Sequence, residues 1–151
     1  MLNQILEEIF IRDLAILREE ILRYDDEESL WIVDGEIANS GGNLALHIAG
    51  NLRHFIGAVL GGDGYVRNRE SEFSARAVPR EKIIAEIDAA AAAIRAVMPG
   101  LNKEILEETY PIEVFGRPMT NAFFLTHLAT HLNYHLGQIN YHRRLTANRK
   151  M

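Results

Sequence analysis

The sequence predicts an all-α fold, a four-helix bundle. Three observations carry this. Apolar residues recur at helical spacing in four long stretches. Gly61-Gly62 and Pro99-Gly100 close two of those stretches. No internal repeat, low-complexity tract or linker divides the chain, so residues 1–151 are read as one domain.

The first helix is expected over residues ~2–24, where Leu2, Ile5, Leu6, Ile9, Phe10, Leu14, Leu17 and Ile21 share a face. The second covers ~43–60, with Leu44, Ile48, Leu52, Phe55, Ile56 and Val59 before the glycine pair. The third covers ~79–98. It opens with Pro79 in its first turn and carries Ile83, Ile84, Ile87, Ile94 and Met98. Its alanine run 89–93 favours helix and permits close packing. The fourth covers ~120–147, about 40 Å at the helical rise. Gly137 within it is read as permitting close packing.

The connections differ in kind. Residues 25–42 are acidic at first, carry Trp31 and end in Asn39-Ser-Gly-Gly42. Residues 61–78 form a long link rich in Gly and charge. Residues 109–118 alternate enough to suggest a short hairpin before the fourth helix.

Composition excludes several functions. The chain has 151 residues, 48% hydrophobic and 25% charged, which is ordinary for a globular protein. A net charge of −5 and a pI of about 5.7 argue against nucleic acid or an anionic membrane surface as partner. The one basic cluster, Arg143, Arg144, Arg149 and Lys150, sits where it complements a helix dipole. There is no cysteine, which removes disulfides, thiolate ligands and cysteine nucleophiles. No signal-like start and no run of ~18 apolar residues is present, so a cytoplasmic location is expected.

The most informative stretch is His127-Leu-Ala-Thr-His131-Leu-Asn-Tyr-His135-Leu-Gly-Gln138. Imidazoles four residues apart on a helix are neighbours and can share a metal ion. On a helical projection with His131 at zero, His127 and His135 fall at about −40° and +40°, in the middle of the apolar arc. The rings are therefore expected to face the bundle interior. Asn133 and Asn140 are expected on the opposite side. His142 projects with the stripe. The second helix carries its own polar strip, His47, Asn51 and His54, beside its core face. Two buried polar strips in one small bundle should meet, since each needs partners. Two sets are open to a metal: His47 with His131 and His135, or His54 with His127 and His131. Spacing does not choose between them if helices two and four are antiparallel. HxxxH here lacks the intervening glutamate of a zincin, which removes the metalloprotease reading.

His47 early in helix two, followed by His131-x-x-x-His135-x-Gly-Gln138 in helix four, resembles the DinB/YfiT-like superfamily of metalloenzymes. The likeness spans essentially the whole chain. Two local patterns look like a bacterial branch of it. They are Asn39-Ser-x-Gly-Asn-Leu-x-Leu-His47-x-x-Gly-Asn51-Leu and Asp63-Gly-x-x-x-Arg-x-Arg69-x-x-Glu72-Phe73. The resemblance implies a variant bundle topology in which 61–78 is a crossover between helices two and three. It also implies a divalent metal on His47, His131 and His135, and a homodimer. His54 and His127 then fall outside the triad, as surrounding or core residues.

Three neutral imidazoles without a carboxylate suit Zn or Ni best, with Fe or Mn as further options. Three protein ligands leave a position for water or substrate; the resemblance implies a low-molecular-weight thiol as one such partner. Gln138 is a candidate for orienting a ligand or substrate, and Asn51 for lining the pocket or supporting a ligand histidine. Arg67 and Arg69 are candidates for closing on an anionic substrate; the plainer reading is surface pairing with Glu70 or Glu72. Asp13 interrupts the first helix's apolar face and is read as an edge polar residue rather than a base. Three functions are in play: a metal-dependent transferase or hydrolase using thiols, a metal-binding bundle without turnover, and a dimeric interaction module whose histidines are core.

Overall fold

A computed structural model describes residues 1–148. Arg149 and Lys150 of the basic cluster lie outside the described residues. The four long helices are α1 (Leu2–Leu22), α2 (Gly41–Leu52), α4 (Arg80–Val97) and α6 (Asn121–Thr146). Two short helices, α3 (Arg69–Ser74) and α5 (Lys103–Glu107), lie in the connections. Side-chain caps set several starts. Ser40 Oγ accepts from Asn43 N at 3.2 Å, and Thr120 Oγ1 accepts from Phe123 N at 3.1 Å. Beyond Leu52 the second helix loosens into a π-helix over Arg53–Leu60, closed by Gly61 N donating to Ile56 O at 3.0 Å.

Cross-helix contacts give the direction of each helix. Asp13 meets Asn133 and Glu20 meets Asn140, so α1 and α6 run parallel. Asn3 reaches Met98 O and Arg80 reaches Leu22 O, so α4 runs against α1. Arg53 pairs with Glu86, and Gly57 faces Ala93, so α2 and α4 run parallel. His47 meets His131 and Phe55 meets Phe124, so α2 runs against α6. The order is up, down, down, up, with α1 packed on α4 and α6, and α2 packed on the same two. Between them lie fully buried Phe10, Leu17, Leu52, Ile83, Ile94, Phe124 and Leu132. No described helix is long and apolar enough to cross a membrane.

Parallel α2 and α4 force the chain to travel back along the bundle between them, so 61–78 is a crossover as expected. It is not structureless. It contains α3, whose backbone is tied to α2 by Asn43 Nδ2 donating to Glu72 O and Ala75 O, both at 2.9 Å. Residues 25–42 hold a 3-10 turn, Glu28–Trp31, that buries Leu30 and Trp31.

Several expectations are corrected. The hairpin at 109–118 is a single antiparallel bridge, Thr109 with Thr120, flanked by Tyr110 N donating to Met119 O at 2.7 Å. Pro111 and Pro118 lack the N–H groups that a longer ladder would use. The histidine stripe lies at the border of the core, not at its centre. His127, His131 and His135 are half-buried, and Tyr134 and Tyr141 beside them are exposed. Gly137 packs against nothing: a Cβ there would have no neighbour within 4 Å. Asn133 and Asn140 do not point away from the protein. They clamp α6 to α1 through two buried carboxylates, Asp13 and Glu20. His142 is structural, with Nε2–H donating to Ile32 O at 2.8 Å and Nδ1 accepting from Tyr24 OH at 2.7 Å.

The Glu20 clamp gives the fold a pH dependence. Burial pushes this carboxyl up, but hydrogen bonds from Arg143 and Asn140 and the charges of Arg143 and Arg23 outweigh it, so its pKa is lowered. A lowered folded value means that this stability is present above the unfolded value of about 4.3 and is lost as pH falls through the folded one. Glu20→Gln should therefore cost about 1–3 kcal/mol in urea unfolding at pH 7. The gap to the wild type should close as pH drops below 4. A gap that persists at pH 2–3 would show that packing, not charge, accounts for the loss.

Candidate functional site

His47 comes from the second turn of α2, and His131 and His135 from successive turns of α6. Antiparallel packing of these helices brings the three rings together. His131 Nε2 lies 3.3 Å from His47 Nε2 and 3.0 Å from His135 Nε2. The rings meet edge to face, at 80–90° to one another. All three residues offer a ligand atom within 4.8 Å of the others.

The opposite edges of two rings are fixed. His47 Nδ1 is 3.1 Å from Glu72 Oε1, and His135 Nδ1 is 2.7 Å from Gln138 Oε1. A carboxylate and an amide oxygen can only accept, so both Nδ1 atoms carry the proton and both Nε2 atoms present lone pairs. These two lone pairs converge on His131 Nε2. Its single N–H could satisfy one of them and would leave the other unmet. A further proton is resisted, because burial, then the nearby His135 and His47, push the His131 pKa down to about 4. The cluster is therefore rich in electron pairs and short of an acceptor. Zinc bound to imidazole at 2.0–2.1 Å in tetrahedral geometry needs nitrogens about 3.3 Å apart, so the donor set and its spacing fit a small divalent cation.

Glu72 belongs to α3 and is buried. Arg67 grips it in a fork, Nε to Oε2 and Nη2 to Oε1, both at 2.8 Å. Burial pushes the Glu72 carboxyl up, but hydrogen bonds from His47 and Arg67 and the charge of Arg67 win, so its pKa is lowered. Arg67 Nη2 also lies 3.3 Å from His47 Nδ1, a contact between two donors and not a bond. Gly50 makes the approach possible, since a Cβ there would run into the Glu72 carboxylate.

The remaining candidates fall at different distances. His54 sits in the π-helical segment, seven residues or about 10 Å along the helix from His47, packed on Phe55. His127 stacks 6.1 Å from the His131 ring and meets the Phe115 ring in a T-shaped contact at 4.7 Å. The alternative set of His54, His127 and His131 is thus not assembled. Burial lowers the pKa of both outlying histidines. Asn51 is buried one turn beyond His47, and its Oδ1 has no partner, a costly condition unless something binds there. Arg69 is exposed and lies over Phe73 at 5.0 Å, whose ring is 4.7 Å from that of His47. Of the two arginines, Arg67 is paired with Glu72 and Arg69 lies over an aromatic face. Asp13 is buried far from the histidines, held by Arg12 and Asn133.

Sequence reasoning missed the role of Glu72, treating it as a surface partner of the arginines. The pairing with Arg67 exists, but it is buried behind a histidine.

Two cavities flank the cluster. One of about 530 Å3 opens beside His135 and Gln138, between α6, the start of α2 and the loop before it. The other, of about 420 Å3, lies behind Glu72 between the crossover, α2 and α4.

A crystal structure of a DinB-like protein from Bacillus cereus ATCC 10987 superposes with a TM-score of 0.67. It covers 89% of this chain and 85% of that one at 20% sequence identity, a likeness of fold. No curated protein matches the chain. The family model described as Protein of unknown function (DUF1572) matches residues 4–151. With up-down-down-up helices, three histidines gathered between α2 and α6 and that match over nearly its full length, the chain belongs to the DUF1572 family.

Proposed function

We propose that this protein is a metal-dependent enzyme acting on a small molecule, with His47, His131 and His135 holding one divalent cation through Nε2. The observation that carries the reading is the convergence of three Nε2 atoms, two of them fixed as lone-pair donors by Glu72 and Gln138. The all-imidazole set favours Zn or Ni, then Fe or Mn. When bound, such a cation supplies Lewis-acid chemistry, lowering the pKa of a water or thiol beside it. A three-ligand set with one of its histidines in a cavity wall suits a thiol-dependent transferase or a hydrolase. Around the site, Glu72 and Gln138 hold ring orientation, Arg67 keeps Glu72 ionised, and Phe73 covers the His47 ring.

The ligand assignment is tested by metal content of untagged protein. His47→Ala, His131→Ala and His135→Ala should each lose the single equivalent that the wild type retains. His54→Ala and His127→Ala should keep it. Loss for His54→Ala with retention for His47→Ala would reverse the assignment.

The supporting carboxylate has its own test. Glu72→Gln should weaken metal affinity about 10–100-fold in competition with a chromogenic chelator. Gly50→Ala should do the same while leaving the carboxylate in the chain, because the new methyl displaces it. Unchanged affinity in both variants would mean that Glu72 supports the fold and not the ligand.

A further inference from the structure

The cavity beside His135 has a definite character. At about 530 Å3 it is of the size that encloses a small organic ligand. Ile37, Leu44, Tyr134, Tyr141 and Leu145 give it an apolar and aromatic wall. Its polar lining includes Asn39 and the pair His135 and Gln138, which are hydrogen-bonded to each other. His142, also in the wall, has both ring nitrogens occupied by Tyr24 and Ile32 and offers nothing to a ligand. One formal charge lines the cavity, the carboxylate of Glu36 at the exposed rim. Among the described residues neither Lys nor Arg lines it. Arg144 lies 5.2 Å over the Tyr141 ring and is not part of the lining.

We infer that this cavity is the seat of an uncharged substrate with an aryl or alkyl body, whose polar head reaches the His135 end. The inference rests on the proposed metal site and names the class of molecule that it serves. An apolar body is driven in by burial against the tyrosines and leucines. A carboxylate carried on that body would lose water, find no Lys or Arg among the described lining residues and face Glu36, so anionic analogues are disfavoured.

The test uses cobalt(II) as a visible metal and two thiols of one shape. Phenylmethanethiol and 4-(sulfanylmethyl)benzoate are titrated into cobalt-loaded protein while its absorption spectrum is followed. The neutral thiol should bind at least ten-fold more tightly than the carboxylate. Tyr141→Ala should weaken it without changing cobalt uptake. Glu36→Lys, an exchange at an exposed rim position, should narrow the gap by favouring the carboxylate. Equal affinities, or a preference for the carboxylate, would overturn the inference. So would cobalt-loaded protein that responds to neither thiol, an outcome that leaves the metal site standing. Failure to bind cobalt would sink the metal site instead. The seat would then be judged by NMR with phenylmethanol: shifts at Tyr134, Tyr141 and Leu145 support it, and their absence refutes it.

Discussion

A buried carboxylate against a buried imidazole is the interaction on which the site depends. Glu72 holds His47 by Nδ1, and it can do so for three separate reasons. Arg67 compensates its charge in a two-point fork. Gly50 has no side chain where the carboxylate must lie. Asn43 holds the α3 backbone in register with α2. All three groups belong to either α2 or the crossover, so this part of the site is built by one helix and the segment that leaves it. The crossover is itself a consequence of topology. Parallel α2 and α4 cannot be joined by a short turn, and the chain that returns along the bundle passes behind His47.

The fourth long helix shows a different solution to burying polar groups. One side of α6 carries histidines toward α2. Another carries Asn133, Asn140 and Arg143 toward the carboxylates of α1. Between these sides run Leu128, Leu132, Leu136 and Ile139 in the core. Such a helix has a weak apolar bias and two polar seams. The seam against α1 is charge-compensated and structural. The seam against α2 has more lone pairs than protons, which is why it alone invites a cation.

How much of this could be read from the chain follows from the range of each interaction. Helix positions were legible to within about two residues, because local periodicity and Gly or Pro breaks determine them. The approach of His47 to His131 was open to inference from two polar strips that needed partners, but the choice over His54 and His127 was not. That choice came from a family likeness, and in the structure it depends on the register of two helices and on the π-helical turn that begins at Arg53. Glu72 was illegible for another reason. It is far in sequence from the residue it serves and lies in a six-residue helix without periodicity. The same limit hid the partners of Asn133 and Asn140, since a helical projection shows which residues share a side but not what packs there. The hairpin expected at 109–118 failed because alternation was weighed without counting the donors that two prolines remove.

The histidine cluster sits at a gradient rather than in a uniform interior. On its inner side stand a carboxylate, a guanidinium and a nearly enclosed His47, all held by several bonds. On its outer side His131 and His135 are half-buried, and His135 forms part of a cavity wall. A site wholly inside the bundle would keep its rings neutral and oriented but would admit nothing. One wholly on the surface would admit ligands but would lose the burial that holds His131 deprotonated. Placing the fixed ligand deep and the i, i+4 pair at the edge reconciles the two demands. The inner wall supplies orientation, and the outer wall is left free to differ in shape and polarity. Here that outer wall, apart from His135, Gln138 and a few polar groups, is aromatic and aliphatic, so most of the cavity is shaped by residues that take no part in holding the cluster together.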